Sequence, residues 1–212
     1  MIDDLIDRLA RDLEPTRPGA VGGRLAAATV LGAVAALAGV LALLGPRPDM
    51  ATAVTSVMFW MKLGYTAAIG VVGVLSVERI ARPTGDPGRR MGWLAAPIVM
   101  IAVAMVVQID RAPSGGIRTL VTGSSASICP WLIAATSVPP FVALMWAVRS
   151  LAPTRLRLAG AVTGLAAGGV AAAVYCLHCA EYGAPFVAVW YSLGMLAPCA
   201  VGALTGPRLL RW

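Results

Sequence analysis

Six long apolar runs occupy most of this 212-residue chain, and they limit the kind of structure that it can form. The runs cover residues 25–44, 57–77, 92–108, 129–148, 158–177 and 186–205. Each is close to the ~20 residues that a helix needs to cross a bilayer. Hydrophobic residues make up 58% of the chain and the mean hydropathy is +0.80, which is too apolar for a soluble domain. The sequence therefore predicts an all-α integral membrane protein with six transmembrane helices.

Basic residues are distributed unequally between the connections. Thirteen of the 17 Lys and Arg residues lie in the two termini, in the second loop and in the fourth loop. The other connections hold only Arg47, Arg111 and Arg118. Short loops rich in Lys and Arg stay in the cytoplasm, so both termini are predicted to be cytoplasmic. Because topology and contact with the lipid bilayer account for the net charge of +7, we predict no direct binding of nucleic acid.

Residues 1–18 form a pattern of their own, ahead of the first apolar run. Apolar side chains recur at three- and four-residue steps, which predicts an amphipathic helix: Ile2, Leu5, Ile6, Leu9 and Leu13. The rest of the segment is dominated by acidic side chains: Asp3, Asp4, Asp7, Asp12 and Glu14. A helix lying on the anionic inner leaflet should instead be basic. Two interpretations remain, docking into a basic cytosolic partner and capping of the bundle. The predicted boundaries are 1–23 for the cytoplasmic segment and 24–212 for the membrane domain.

The four cysteines differ in their predicted depth. With cytoplasmic termini, Cys129 and Cys179 lie at the outer ends of the fourth and fifth spans. There they could form a disulfide, act with His178 as soft ligands for a metal, or never meet. Cys176 has the Cys-x-x-Cys spacing to Cys179, but it is predicted to lie inside the fifth span. Cys199 falls in the middle of the sixth span, where it is expected to be a small buried apolar residue.

Lys62 is the one charge well inside a predicted span. An intramembrane cation indicates a functional site by default. It could equally snorkel to the interface or pair with Asp49 or Asp110.

Two further features concern packing. The connection 109–128 is the only outer loop long enough to form structure, with a short helix over 117–121. Gly160, Gly164 and Gly168 share one face of the fifth span, which favours close helix packing.

Several segments together are similar to the NrsF family of bacterial six-span anti-sigma factors. They are DDLIDRLARDLEP near the start, FWMKL in the second span, Cys129-Pro130, RSLAPTRLRLAGAVTGLAAG, YCLHC, VWYSLG and the terminal GPRLLRW. The resemblance implies a protein of the bacterial inner membrane that is not an enzyme and has no resident cofactor. Its partner would be a cognate extracytoplasmic-function sigma factor, held by the N-terminal segment. It also implies that Cys129 and Cys179 release this partner under heavy-metal or oxidative stress.

The residues themselves leave two other functions open. One is a membrane thiol oxidoreductase that passes electrons from Cys129 and Cys179 to a quinone, although no second redox pair is evident at that depth. The other is a small transporter, with Lys62 as its intramembrane charge and no paired acid within a span.

Overall fold

The computed structural model describes residues 19–81, 88–113 and 115–211, and all the long elements within these ranges are helices. Six of them are long and apolar enough to cross a membrane: α1 (Ala20–Leu43), α2 (Val57–Ile80), α3 (Gly88–Asp110), α4 (Cys129–Arg149), α5 (Leu156–Tyr175) and α6 (Ala184–Leu209). The predicted all-α class with six candidate spans is confirmed. The predicted amphipathic helix over 1–18 lies outside the described residues.

The helices extend beyond the apolar runs into polar flanks. α1 already begins at Ala20. Residues 20–23, which the predicted boundaries assign to the cytoplasmic segment 1–23, are therefore part of this helix. α3 includes Arg90, whose guanidinium donates to the Leu75 carbonyl oxygen at 2.6 Å and pairs with Glu78 at 3.2 Å. Hydropathy marks the part of a helix that needs lipid, whereas backbone hydrogen bonding continues until a cap or a turn ends it. The short helix expected over 117–121 is present as Gly116–Thr122.

α5 is the centre of the bundle. It packs against α1, α2, α4 and α6, and 67% of its most apolar stretch is buried. Only 11% of the corresponding stretch of α3 is buried, so α3 lies at the periphery. The remaining faces of the helices expose Val, Leu, Ile and Trp side chains, as expected of surfaces that face lipid.

Glycines allow the backbone of α5 to approach its neighbours closely. A β-carbon built on Gly160 would meet the Gly202 carbonyl oxygen of α6, and one built on Gly164 would meet Pro198. On another face, a β-carbon on Gly73 of α2 would lie 2.8 Å from the Cα of Ala166. The packing role predicted for the α5 glycines is therefore confirmed, since any side chain there would overlap the neighbouring backbone.

A leucine at Gly164 should destabilise the bundle severely. Its side chain would overlap the backbone of α6, which cannot move without displacing the whole helix. We expect the free energy of unfolding to fall by about 3 kcal/mol or more and the melting temperature in detergent to fall by roughly 6–12 °C. Gly64→Leu is the matched control, because Gly64 is exposed on α2 and a β-carbon there would meet nothing within 4 Å. Equal melting temperatures for the two variants would contradict the packing described.

Irregular turns occur in α4 and α6. α4 consists of two helical pieces, Cys129–Thr136 and Val138–Arg149, that meet at Ser137 just before Pro139 and Pro140. The proline rings remove backbone donors, so the helix breaks there. α6 contains a π-helical turn, Val187–Tyr191, which is the kind of irregularity that often marks a functional site.

The bundle has two ends, which we name by what they hold. The terminal end holds the start of α1 and the end of α6. The thiol end holds Cys129 and the connection 176–183 between α5 and α6. α4 leads away from the thiol end and α5 returns to it, so the two helices are antiparallel neighbours.

Candidate functional site

Two free thiols come together at the thiol end. Cys129 is the first residue of α4, and Cys179 follows the end of α5. Both are free and buried, with 0% and 5% exposure, and they pack in one buried cluster together with Tyr175 and Tyr191. The neighbouring Cys129 thiol, as a potential hydrogen-bond donor, lowers the pKa of the Cys179 thiol below its usual range, burial opposes the shift, and the positive charge of Lys62 adds to it. A thiol of lowered pKa forms the reactive thiolate more readily.

Local backbone structure places each cysteine. The amide of Cys129 donates to the Ser125 carbonyl oxygen at 2.9 Å, which fixes it in the turn that starts α4, and Pro130 then suits the first turn of a helix. The amide of Cys179 donates to the Tyr175 carbonyl oxygen at 3.0 Å, so the chain makes one more turn beyond α5. The two turns bring the cysteines to the same level of the bundle.

Lys62 contacts the backbone of one member of this pair, and it neither snorkels nor forms the predicted ion pair. Its side chain is 1% exposed. The ammonium donates to the carbonyl oxygens of Cys179 and Glu181, at 2.8 and 3.1 Å. The prediction that Lys62 pairs with Asp49 or Asp110 is therefore wrong. Its side chain points into the bundle, where the acceptors within reach are backbone carbonyls of the α5–α6 connection.

Arg47 is a second buried cation at the thiol end. Its guanidinium forms two hydrogen bonds with the Asp49 carboxylate, at 2.7 and 2.8 Å, and donates to the Tyr182 hydroxyl and the Cys179 carbonyl oxygen. The hydrogen bond from Arg47, followed by that from Tyr182, holds the pKa of Asp49 well below its usual range. The α1–α2 connection is thus joined to the α5–α6 connection through charged groups.

Glu181 joins the α5–α6 connection to the loop before α4. Its carboxylate accepts hydrogen bonds from the Ser124 amide, the Ser124 hydroxyl and the Ser125 hydroxyl, at 2.7, 2.7 and 3.1 Å. Gly123 has a φ of +49°, and a β-carbon there would overlap the carboxylate, so this contact requires glycine. A polar cavity of about 210 Å³ lies beside the contact and is lined by Ser124, Ser125, Tyr175, His178, Cys179, Ala180 and Glu181. Cys179 is therefore one of the residues that line a polar cavity.

His178 does not complete a metal site with the two thiols. Its Nδ1 atom lies 2.9 Å from the Gly45 carbonyl oxygen, toward the α1–α2 connection. Among the described residues, no three side chains of His, Cys, Asp or Glu converge as ligands. The three-ligand set of Cys129, His178 and Cys179 is therefore not assembled, because the extra turn after α5 points the imidazole away.

The other two cysteines differ in their surroundings: Cys176 lies in the same buried cluster as the pair, whereas Cys199 lies on α6. The Cys176 thiol is fully buried and donates to the Ala172 carbonyl oxygen at 3.2 Å, with the Thr66 hydroxyl 3.9 Å away. Cys199 is half-buried on α6 rather than buried as expected, because its side of the helix is only partly covered.

Comparison with known proteins identifies the family. Residues 9–212 match the family model described as NrsF, negative regulator of sigma F. The chain belongs to the NrsF family. It is 42% identical over 215 residues to the "Probable anti-sigma-F factor NrsF" of Azospira oryzae, with 99% of each chain covered. It is 44% identical over 213 residues to the "Anti-sigma-F factor NrsF" of Caulobacter vibrioides, again with 99% of each chain covered. No solved structure matches the chain.

Sequence reasoning missed part of the site of this NrsF family member. Arg47 was not proposed as a site residue, and the sequence left open whether Glu181 is solvated or lines a site, although both are central to the contacts at the thiol end. Arg47 did carry a signal, since it is one of only three arginines on its side of the predicted topology and lies in a short Pro-flanked loop. Glu181 carried a weaker one, as the only acid in the connection between the fifth and sixth apolar runs.

Proposed function

We propose that this chain is a membrane-bound anti-sigma factor that sequesters a cognate extracytoplasmic-function sigma factor and releases it on periplasmic thiol, metal or oxidative stress. The match to two anti-sigma-F factors over 99% of the chain carries this proposal. The sigma factor would bind the N-terminal segment 1–18, through the residues Asp3, Asp4, Leu5, Ile6, Leu9 and Leu13. Sigma factors present basic surfaces to DNA and core polymerase, and an acidic amphipathic helix complements such a surface.

The proposed location is the bacterial inner membrane, with the terminal end in the cytoplasm and the thiol end in the periplasm. Its support is the excess of arginines at the terminal end, together with the six candidate spans. A cytoplasmic terminal end places the sigma-binding segment beside its partner. A periplasmic thiol end exposes the cavity beside Cys179 to the oxidising compartment.

Reporter fusions test this topology. Fusions after residue 18 and after residue 212 should report the cytoplasm, and a fusion at Gly115 should report the periplasm, because arginine-rich short loops are retained inside. The measurement is the paired activity of a reporter active only in the cytoplasm and one active only in the periplasm. A periplasmic signal at residue 18 would separate the N-terminal segment from any sigma factor and end the proposal.

Release would begin at Cys129 and Cys179. Two adjacent thiols can join as a disulfide or share a soft metal ion, and either event ties α4 to the connection after α5. At the terminal end, α4 leads to Ser150, whose hydroxyl accepts a hydrogen bond from Arg24 at 2.6 Å. Arg24 lies in the first part of α1, directly after the N-terminal segment. A change in α4 would therefore reach the start of α1 if the bundle has two packings that differ in their affinity for the thiol bond.

Co-purification from membranes tests the anti-sigma function itself. The tagged full-length chain should retain its cognate sigma factor in near-equal amount, and deletion of the chain should raise transcription from that sigma factor's promoters. A matched variant that lacks residues 1–18 but keeps α1–α6 should reach the membrane without retaining the sigma factor. If the sigma factor is absent from both preparations and transcription is unchanged by the deletion, the chain is not its regulator.

A further inference from the structure

Lys62 is an unusual residue to bury in a membrane domain. It is the only lysine of the chain, and its side chain is 1% exposed. Within the described part of the chain it forms no ion pair with an acidic side chain. Burying a cation without a carboxylate is unfavourable unless other groups solvate it, so its polar contacts indicate what it holds in place.

The contacts of Lys62 converge on one short stretch of backbone. The Nζ atom is 2.8 Å from the Cys179 carbonyl oxygen and 3.1 Å from the Glu181 carbonyl oxygen, with the Tyr191 ring centroid at 5.4 Å. Charge-assisted hydrogen bonds of this kind are roughly twice as strong as neutral ones. α2 therefore holds the backbone of residues 179–181 through a single side chain.

Holding this backbone restricts the thiol. A cysteine side chain has one rotatable bond before its sulfur, so a fixed backbone leaves Sγ only three staggered positions. Cys179 and Cys129 pack in the same buried cluster, so one of these positions directs the Cys179 sulfur toward Cys129. We propose that Lys62 is a positioning residue for the thiol pair: its buried ammonium fixes the backbone of Cys179 and Glu181 so that the Cys179 sulfur faces Cys129.

Arg47 assists this arrangement but cannot replace Lys62. Its guanidinium reaches the same Cys179 carbonyl oxygen at 3.2 Å, the longer of the two contacts, and it is mainly engaged with Asp49. Lys62 alone of the two donates to Glu181, and that second bond fixes the direction of the backbone as well as its position.

The inference rests on the proposed sensory role of the pair for its biological meaning, but its test needs no sigma factor. The purified full-length protein in detergent is treated with diamide, which oxidises the two thiols to one disulfide and takes up their two electrons and two protons. The measured quantity is the rate of formation of the Cys129–Cys179 disulfide, read from the cross-linked peptides by mass spectrometry. The variants are Lys62→Met, which removes the charge and the donors, and Lys62→Arg, which keeps both. Lys62→Gln replaces Lys62→Met if the methionine variant does not fold.

We expect Lys62→Met to slow the disulfide at least about tenfold, because orientation of the reacting groups contributes orders of magnitude to such rates. Lys62→Arg should remain within about threefold of the unchanged protein, since it preserves the charge-assisted bonds. Maleimide labelling of Cys199 on α6 is the control and should be unchanged in each variant. Equal disulfide rates in all proteins would overturn the proposal. So would a parallel acceleration of Cys199 labelling, since that would indicate general loosening. Neither result bears on whether the chain binds a sigma factor, which the co-purification decides separately.

Discussion

Changing Leu5 and Leu9 to aspartate together should release the sigma factor in unstressed cells. The two leucines lie four residues apart on the apolar face predicted for the N-terminal segment. At a tight interface a buried apolar side chain contributes about 2 kcal/mol or more to the binding free energy. A buried unpaired charge in its place is unfavourable in itself, so the substitution weakens binding further. A loss of about 4 kcal/mol of binding free energy corresponds to a roughly 1000-fold weaker affinity for the sigma factor. Transcription from sigma-dependent promoters should therefore rise to the level seen when the whole chain is deleted.

The measurement is promoter activity without stress, beside a membrane-fraction blot for the amount of the chain. Insertion should be unaffected, because the six candidate spans begin only at Ala20. Asp7→Glu/Asp12→Glu is the matched control, since it alters two residues of the same segment without changing its charge or placing charge on the apolar face. If the Leu5/Leu9 variant still represses transcription as well as the unchanged chain, this helix is not the docking element.

The sequence predicted the spans well because hydropathy is a local property. An apolar run of about 20 residues has one stable place in a bilayer, whatever the rest of the chain does. The close packing of Gly164 could also be predicted, because three glycines at four-residue spacing share a helix face in any structure. Both inferences needed only the order of the residues.

The contacts of Lys62 could not be predicted in the same way. Its partners are backbone carbonyls, which every residue has, so no residue type in the sequence marks them. Asp49 looked like a suitable acid partner, but it is held by Arg47 two residues away. The orientation of His178 was hidden for a similar reason, because its partner is the carbonyl of Gly45. The sequence indicated which elements lie at one end of the bundle, but it did not indicate which atoms are in contact there.

Replacing Cys129 and Cys179 together with serine should leave the sigma factor sequestered and abolish its release by thiol-reactive stress. Serine is similar in size to cysteine, so the buried pair can remain packed. It cannot form a disulfide and is a poor ligand for soft metals. Since the proposed docking segment, residues 1–18, is unchanged, repression without stress should match that of the unchanged chain. After treatment with a thiol oxidant or a soft metal, sigma-dependent transcription should stay at its unstressed level, so the whole response is lost.

Cys199→Ser is the matched control, because Cys199 lies on α6 away from the pair and its replacement should leave induction intact. Cys176→Ser refines the test: Cys176 is buried against Ala172 and Thr66, so it should also keep the response. Labelling with a membrane-impermeant maleimide, before and after stress, measures the thiols directly. Cys129 and Cys179 should lose reactivity on exposure, while a thiol outside the pair should not. If their labelling does not change while transcription is still induced, the stimulus acts elsewhere and the connection from α4 through Ser150 to Arg24 is not the route of release.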